Sequence, residues 1–346
     1  MSSVSIVIPC YKYGHFLEEA VSSVLDDQEG VDVRVLIIDD ASPDDSAETA
    51  AKIAARDSRV EVLQHSTNKG NIATYNEGLL EWAQGDYTAL MSADDRLTPG
   101  ALRRAADLLD AHPEVGFVYG TALWFWQDQP FPQPRTRLRG WSTWPGQWWF
   151  ERRLRAGENN ITSPEVVVRT SLQKRVGGYD PRLPHSADQE MWLRLAAHAD
   201  VGFLRGVDQA FYRVHGQNMR NTFNALMDLR QKRLAFEITF ELYGDRLSDP
   251  EHLRNGINRK ISRQALAVAT RSWDLGVADD DVVEQLIDFA VECWPKAERL
   301  PIYYTLRARR VVDRRILTAL QPSRPAEFAR RGRGWLQRRS WKYRGY

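Results

Sequence analysis

The sequence has little cysteine, no long apolar run and no excess of charge of one sign. Its 346 residues include only two cysteines, Cys10 and Cys293, which are too few for a disulfide framework and are typical of a reducing compartment. No stretch approaches the 18 consecutive apolar residues of a membrane-spanning helix, and the first residues do not resemble a secretion signal. We therefore expect a cytoplasmic protein, or one bound peripherally at the inner face of the cell membrane.

The bulk composition is that of a globular protein with more than one part. Hydrophobic residues make up 43% and charged residues 27% of the chain, and its length exceeds that of one typical domain. The net charge of +1 does not by itself exclude any class of binding partner. Basic residues are nevertheless concentrated after Arg307, where Asp313 and Glu327 are the only acids.

Short apolar runs alternate with amphipathic patterns over the first 120 residues. Together they predict βαβ units, and thus an α/β fold with a mostly parallel sheet flanked by helices. The predicted strands are 4–8, 33–38, 60–63, 87–91 and 115–119, and the predicted helices are 16–25, 46–55, 71–83 and 99–111.

Polar residues follow four of the predicted strands. They are Tyr11, the pair Asp39-Asp40, Asn68 and the pair Asp94-Asp95. Because right-handed crossovers bring the carboxyl ends of parallel strands to one edge, we expect these residues to converge on a ligand site.

The pair Asp94-Asp95 is the most informative of these clusters. Two adjacent carboxylates repel each other unless a cation lies between them, and oxygen ligands suit Mg²⁺ or Mn²⁺. The alternative is that both residues cap the following helix, since acids are common at helix starts.

The second half of the chain has a different character. Six tryptophans crowd residues 121–160, and we interpret Trp124 and Trp126 as core residues of a strand. Trp144 and Trp148 are candidates for an acceptor site, since aromatic faces stack on pyranose rings. Residues 161–215 are predicted to be α/β and residues 221–320 helical.

Six motifs of residues 3–220 resemble, in order, those of the nucleotide-sugar glycosyltransferases of family 2, which have a GT-A fold. Two departures are Ser92, where the family's metal motif begins with aspartate, and Ala187, where the family has glutamate. Both substitutions leave fewer carboxylates for a cation. The matching motifs are Ile8-Pro9-Cys10-Tyr11, Ile38-Asp39-Asp40-Ala41-Ser42, Asn68-Lys69-Gly70 with Asn76-Glu77-Gly78, Ser92-Ala93-Asp94, Asp188-Gln189-Glu190-Met191-Trp192 with Arg194, and Tyr212-Arg213-Val214-His215.

The resemblance implies a GT-A domain over residues 1–220, with a nucleotide-binding half at 1–120 and an acceptor-binding half at 121–220. A helical extension at 221–320 and a basic aromatic tail at 321–346 would follow. It further implies an inverting glycosyltransferase that uses a nucleoside-diphosphate sugar, with UDP favoured, in cell-envelope polysaccharide or glycolipid synthesis. A natural-product glycosyltransferase and a non-catalytic carbohydrate-binding protein that kept the fold are the alternatives.

The resemblance also implies roles for individual residues on the donor side. Tyr11 would stack on the nucleobase, and either Asp39 or Asp40 would contact the base or the ribose. Asn76 is either a ligand contact or a polar helix residue. The expected nucleotide-binding residues are Pro9, Tyr11, Asp39, Asp40, Asn68, Lys69, Gly70, Asn76, Ala93 and Asp94.

The residues expected to bind the metal and to act as the base come from other motifs. Asp94, Asp95 and His215 are the expected ligands of Mn²⁺ or Mg²⁺. The alternative for His215 is a hydrogen-bonded loop histidine. Asp188 is the expected general base, with an N-cap of its helix as the alternative. Asp188 and Trp192 would join Trp144 and Trp148 in binding a saccharide or lipid-linked acceptor.

The basic tail has three interpretations. Its mixture of arginine and aromatic residues fits attachment to an anionic membrane surface, and fits equally a solvated end or a subunit contact in a homo-oligomer. Binding of nucleic acid by charge alone is the third interpretation, and we do not expect nucleic acid as a partner. The residues concerned are Arg330, Arg331, Arg333, Trp335, Arg338, Arg339, Trp341, Lys342, Tyr343, Arg344 and Tyr346.

Overall fold

The computed structural model describes residues 1–126, 129–218, 224–323, 325, 328, 332, 334, 336 and 340–346. Its contacts divide the chain into two units. The first comprises Met1–Phe150, Asn159–Asn218 and Lys342–Tyr346, and the second comprises Glu151–Glu158 and Met219–Trp341. The predicted boundary at 220–221 and the tail residues Arg330, Arg331, Arg333, Trp335, Arg338 and Arg339 lie outside the described residues.

Eleven strands of the described chain form two sheets in the first unit. The large sheet has the order β3-β2-β1-β4-β9-β6-β10-β8, and the small sheet has the order β5-β11-β7. The strands are β1 (Ser3–Cys10), β2 (Asp32–Asp39), β3 (Val60–Gln64), β4 (Tyr87–Leu90), β5 (Arg96–Leu97), β6 (Val115–Tyr119), β7 (Ala122–Trp126), β8 (Trp141–Trp144), β9 (Val166–Arg169), β10 (Asp200–Leu204) and β11 (Ala210–Val214).

Helices flank the large sheet, and further helices make up most of the second unit. The predicted α/β class with a C-terminal helical extension is therefore confirmed. The helices are α1 (Gly14–Leu25), α2 (Ser46–Arg56), α3 (Asn71–Asn76), α4 (Ala101–Ala111), α5 (Gly146–Ala156), α6 (Thr170–Val176), α7 (Ala187–Ala196), α8 (Ala225–Tyr243), α9 (Pro250–Asp274), α10 (Asp280–Cys293), α11 (Pro301–Arg310) and α12 (Arg314–Leu320).

The nucleotide half of the large sheet is parallel, as its alternating elements predict. β1 pairs in parallel with both β2 and β4, and β2 pairs in parallel with β3. β9 is antiparallel to its neighbours β4 and β6 and lies between them. The carboxyl ends of β1, β2 and β4 consequently share one edge, from which the loops after residues 10, 39 and 90 extend.

The packing of β1 against α1 shows why these elements form. Val4, Ile6 and Ile8 alternate along the strand and are at most 1% exposed, while Leu17 and Val24 on α1 are fully buried in the same core. Each such side chain contributes about 1.5–3 kcal/mol by leaving water.

Two predicted helices have different ends from those expected. The helix predicted over 71–83 is α-helical only to Asn76 and continues as a π-helix over Glu77–Trp82. Such widened turns are common at functional sites, and apolar spacing does not reveal them. The helix predicted to open at Pro99 begins at Ala101, because Gly100 adopts a left-handed conformation with φ of 70°.

The small sheet corrects the interpretation of two tryptophans. Phe125 is 5% exposed, but Trp124 and Trp126 on either side of it are 43% and 40% exposed. Because successive strand residues point to opposite faces, the core takes Phe125 and leaves both indoles on the other face. The prediction that Trp124 and Trp126 are core residues is therefore wrong.

The second unit is helical, and asparagine or aspartate caps several of its helices. Asn224, Asp249 and Asp279 accept hydrogen bonds from backbone N–H groups in the first turns of α8, α9 and α10. Across both units, none of the helices in the described part of the chain combines the length and apolarity needed to cross a membrane.

Candidate functional site

The loops that follow β1 and β2 are joined at the carboxyl edge of the sheet. The Lys12 N–H donates to Ser42 Oγ at 3.0 Å. Lys12 and Ala41 have φ angles of 63° and 55°, a left-handed conformation that costs L-residues free energy. Strained residues of this kind concentrate at functional sites.

Asp40 organises the loop after β3. Its carboxylate accepts from the N–H groups of Lys69 and Gly70, at 2.7 and 2.9 Å, and its backbone carbonyl accepts from Asn68 Nδ2 at 3.1 Å. Burial would raise the pKa of Asp40, but its hydrogen bonds from His65 and these backbone groups lower it overall. Both carboxylate oxygens of Asp40 are thus occupied within the protein.

Asp39 has the same side chain as Asp40 but different hydrogen bonding. It is fully buried, and its Oδ2 accepts from the Ser42 N–H at 3.2 Å. Its Oδ1 is buried and has no hydrogen-bond partner among the residues that the structure describes. A buried acceptor without a donor costs free energy, so Asp39 is suited to receive a donor from a ligand.

His65 is a site residue that sequence reasoning did not identify. Its Nδ1 lies 2.7 Å from Asp40 Oδ1 and its Nε2 lies 3.0 Å from Glu77 Oε2. Glu77 also accepts from Lys69 Nζ at 2.9 Å. The only signal in the sequence is a histidine three residues before Asn68, because its two carboxylate partners come from other segments.

Asp94 lies beyond β4 and meets the segment that follows β11. His215 Nε2 is 2.9 Å from Asp94 Oδ2, and Asn218 Nδ2 donates to the same oxygen at 3.0 Å. Arg213 Nε donates to the Asp94 carbonyl at 2.9 Å. Asn218 is a further residue that the motifs did not single out.

Asp95, the second acid of the pair, is turned into the protein. Its Oδ1 accepts from the Arg213 N–H at 3.0 Å, and it is 2% exposed. Burial, and then the neighbouring charge of Asp94, raises the pKa of Asp95 well above its ordinary value. Asp95 therefore fixes β11 to the loop after β4 and does not face the same point as Asp94. Ala93 between the strand and the pair is also fully buried.

The donor set at Asp94 fits a divalent cation only in part. Adjacent ligand atoms of an octahedral ion lie about 3 Å apart, which is close to the 2.9 Å between Asp94 Oδ2 and His215 Nε2. No group of three or more acidic, histidine or cysteine side chains surrounds one point among the described residues. The protein thus offers two ligands there, and the remaining positions are left for phosphate oxygens and water.

Asp188 is the second residue of α7, whose N-cap is Ser186. The alternative that Asp188 is the N-cap is therefore wrong. Burial raises the pKa of Asp188 to about 6, although the charge of His185 and a hydrogen bond from Tyr179 lower it. The residue as a whole is half-buried, and with this pKa its carboxylate is largely ionised at neutral pH.

The hydroxyl of Tyr75 on α3 has a raised pKa. Burial raises it most strongly, and the charges of Asp188, Asp94 and Asp95 raise it further, whereas a hydrogen bond with Asn71 lowers it.

Two motif residues have structural partners. The Asn76 amide donates to the Tyr179 carbonyl at 2.9 Å and accepts from the Tyr179 N–H at 2.7 Å. Glu190 pairs with Arg194, which also donates to the Gly178 carbonyl at 2.7 Å. Asn76 is accordingly the polar helix residue of the two alternatives, and it holds the loop before α7.

The remaining predicted residues lie apart from this centre or at its surface. Tyr11 is 42% exposed at the end of β1, with Lys12 Nζ 5.1 Å from its ring centre, and Pro9 pairs with Ile38 inside the sheet. Trp192 is 3% exposed and stacks on Phe117 in the core. A residue buried in this way offers no face to an acceptor.

Trp144 and Trp148 are not brought together with the carboxylates. Trp144 belongs to β8, the edge strand of the large sheet, and three strands separate it from β4, a distance of about 19 Å. The two indoles stack on each other, with ring centres 6.2 Å apart, and both contact the Tyr346 ring. The structure gives their predicted role at the acceptor site no support.

Comparison with known proteins identifies the domain. Residues 5–170 match Glycosyl transferase family 2. The chain is 30% identical over 210 residues to the uncharacterized protein MT1568 of Mycobacterium tuberculosis, covering 58% of this chain and 64% of that protein. It is 33% identical over 222 residues to the chondroitin synthase of Pasteurella multocida, covering 62% of this chain and 21% of the synthase. The chain thus spans less than two thirds of both relatives.

Solved structures show the same fold. S. aureus TarS 1-349 in complex with UDP-GlcNAc aligns with a TM-score of 0.62 at 19% identity, over 92% of this chain and 90% of that one. The Pyrobaculum calidifontis mannosyltransferase PcManGT, in complex with GDP-Man and Mn²⁺, aligns with a TM-score of 0.52 at 15% identity, over 92% and 83% of the chains. The predicted GT-A fold is confirmed, and the match to Glycosyl transferase family 2 covers residues 5–170 of this chain.

Proposed function

We propose that this chain transfers a sugar from a nucleoside-diphosphate sugar to an acceptor hydroxyl with inversion of configuration. The observation that carries the proposal is the pair of Asp94 and His215, whose Oδ2 and Nε2 atoms lie 2.9 Å apart. The pair lies just beyond β4, whose carboxyl end shares one edge of the sheet with those of β1 and β2, so a diphosphate held there would lead to a nucleoside at the loops after those strands.

The donor's nucleoside would bind between the loops after β1 and β2. Asp39 Oδ1 is buried and has no partner in the part of the chain that the structure describes. It would accept a hydrogen bond from the ring N–H of a uracil or from a ribose hydroxyl. The exposed ring of Tyr11 would stack on the base. Asp40, by contrast, would act indirectly by holding Asn68, Lys69 and Gly70 in place. The structures of TarS in complex with UDP and with UDP-GlcNAc favour UDP as the nucleotide.

Mn²⁺ or Mg²⁺ would be held by Asp94 and His215, together with oxygens of the diphosphate. When bound, the ion neutralises negative charge on the leaving group. The complex of PcManGT with GDP-Man and Mn²⁺ supports this proposal, because it pairs a nucleotide sugar with the ion in a protein of the same fold. Asp95 is not among the ligands we propose, because its Oδ1 is used by the Arg213 N–H.

Asp188 would accept the proton of the acceptor hydroxyl as that oxygen attacks the anomeric carbon. With a pKa of about 6 it is ionised at neutral pH yet more basic than an ordinary aspartate. Direct attack by the acceptor, without an enzyme nucleophile, inverts the anomeric configuration. Tyr179, which bonds the carboxylate, would orient it.

The biological role we propose is synthesis of a cell-envelope polysaccharide or glycolipid. The names of two relatives, a chondroitin synthase and a hyaluronan synthase of Pasteurella multocida, favour polysaccharide over a natural product. A cytoplasmic location at the membrane face, contact of the basic tail with anionic lipid and self-association remain expectations.

Thermal unfolding with UDP and Mn²⁺, followed by turnover of a panel of nucleotide sugars, tests the proposal. We expect UDP to raise the melting temperature only with the ion present, and Asp94→Ala to abolish this rise. Asp188→Asn should keep the rise and abolish turnover. Asp107→Asn, on the exposed side of α4, is the matched control and should alter neither.

Two outcomes contradict this assignment. Turnover by Asp188→Asn at the wild-type rate would exclude Asp188 as the base. Nucleotide-induced stabilisation without turnover of any nucleotide sugar would instead favour the alternative of a non-catalytic binding protein.

A further inference from the structure

Three aromatic residues share the outer face of the small sheet. Tyr212 pairs with Trp124 and Val214 pairs with Trp126 across β11 and β7. Paired residues, and residues two positions apart, point to the same side of a sheet, so Trp124, Trp126 and Tyr212 form one surface. The Trp124 and Tyr212 ring centres are 5.1 Å apart. We call these three residues the aromatic platform.

The core does not require the aromatic platform. On the opposite face of the same sheet Phe125 and Phe211 are 5% and 3% exposed, and the ring of Phe131, itself 44% exposed, packs against both. Trp124 and Trp126 are 43% and 40% exposed. Large aromatic side chains left together at a surface are typical of a binding site.

The aromatic platform adjoins the proposed donor site. β11 ends at Val214, and the next residue is His215, beside Asp94. The Tyr13 ring packs against His215, with ring centres 5.5 Å apart. Across the small sheet, Trp126 is in register with Val214, so the aromatic platform extends to the residue before His215.

We infer that the aromatic platform binds a saccharide acceptor of at least two pyranose rings. Trp124 and Trp126 are about 7 Å apart along the strand, which provides successive stacking positions. A flat surface covers only one side of its ligand. A pyranose has an apolar face for such a surface and hydroxyl groups that stay in water, whereas an alkyl chain would leave half of its apolar area exposed.

This inference rests on the proposed function, because the acceptor must lie beside the donor's anomeric carbon. It replaces Trp144 and Trp148 as the expected acceptor residues.

A microarray of bacterial and animal glycans, probed with the full chain in UDP and Mn²⁺, provides the test. We expect the wild type to bind pyranose glycans, and Trp124→Leu or Trp126→Leu to weaken the retained binding about tenfold, as loss of one stacked ring would. Trp124→Tyr should keep most of it, because a planar ring remains. Phe131→Leu, on the opposite face of the sheet, is the matched control.

The thermal shift with UDP and Mn²⁺ separates the possible failures. If the wild type shows no shift, the proposed function itself fails. If the shift is present in every variant but no glycan binds, or Trp124→Leu binds as tightly as the wild type, the donor site stands and the inference about the aromatic platform is overturned. Binding retained by leucine would indicate an apolar ligand.

Discussion

His215 Nε2 lies 2.9 Å from Asp94 Oδ2, although 121 positions separate the two residues in the chain. The contact closes the loop after β4 against the end of β11. Both side chains are nearly buried, at 9% and 6% exposed. The pair therefore serves two purposes: it joins the two sheets of the first unit, and it presents an oxygen and a nitrogen at one point.

We predict that His215→Ala weakens Mn²⁺-dependent binding of UDP at least about tenfold, because one of the two protein ligands that we propose for the ion is lost. Titration of UDP at fixed Mn²⁺ by calorimetry measures the effect. His112→Ala removes a half-exposed histidine paired with Glu114 and is the control. Equal affinities for His215→Ala and the wild type would leave His215 with a structural role only.

As the proposed base, Asp188 is expected to make activity depend on pH. Because its pKa is about 6, we expect kcat/KM to fall about tenfold per pH unit below pH 6 and to be level above it. Initial rates between pH 5 and 8 check this. A profile without an inflection near pH 6 would contradict the assignment of Asp188 as the ionising base.

The same pKa predicts that Asp188→Asn stabilises the fold. The carboxyl pKa rises from 3.8 in the unfolded chain to about 6 in the folded protein, so ionisation destabilises the native state as pH increases from 3.8 to 6. Above pH 6 the variant should be more stable by about 3 kcal/mol, and below pH 3.8 the difference should vanish. Urea unfolding at pH 4 and pH 7 measures it.

Ala41 lies in a left-handed conformation, with φ of 55°. Ala41→Gly should raise the free energy of unfolding by about 0.5–1 kcal/mol, because the relieved strain exceeds the added entropy of the unfolded chain. Ala51→Gly in the middle of α2 should instead cost about 1 kcal/mol. Destabilisation by both substitutions would argue against strain at position 41.

His65 is predicted to stabilise the loop that carries Asn68, Lys69 and Gly70. His65→Leu leaves the carboxylates of Asp40 and Glu77 without their shared partner, which should cost about 2–4 kcal/mol. UDP binding should weaken as well, since Asp40 holds Lys69 and Gly70. The exposed pair of His112 and Glu114 should contribute less than about 1 kcal/mol in the same urea experiment, because solvent screens it.

The strands and helices of the nucleotide half were predictable because apolar spacing and burial are local properties. The convergence of Asp39, Asp40 and Asp94 at one edge followed from the parallel order of β1, β2 and β4. The different hydrogen bonding of Asp39 and Asp40 could not be predicted from the strand order. Their side chains are identical, and only His65, Lys69 and Gly70, from another loop, determine which carboxylate retains an unused oxygen.

The tryptophans show a second limit. Alternation along β7 predicts that Trp124 and Trp126 share a face, but not which face the core covers. That choice depends on Phe211 of β11, which is 86 positions beyond Phe125 in the sequence. The role of Asn76 was undecidable for the same reason, since both of its hydrogen bonds go to Tyr179, 103 positions away.

Gly178 shows how closely the loop before α7 is fitted to the donor half of the domain. A methyl group at this position would lie 2.3 Å from Asn76 Oδ1. Any larger residue at 178 must therefore expel the Asn76 amide and release Tyr179, whose hydroxyl bonds Asp188. In a directed-evolution library, position 178 would tolerate change only alongside compensating change at 76, and the two sites would mutate as one unit.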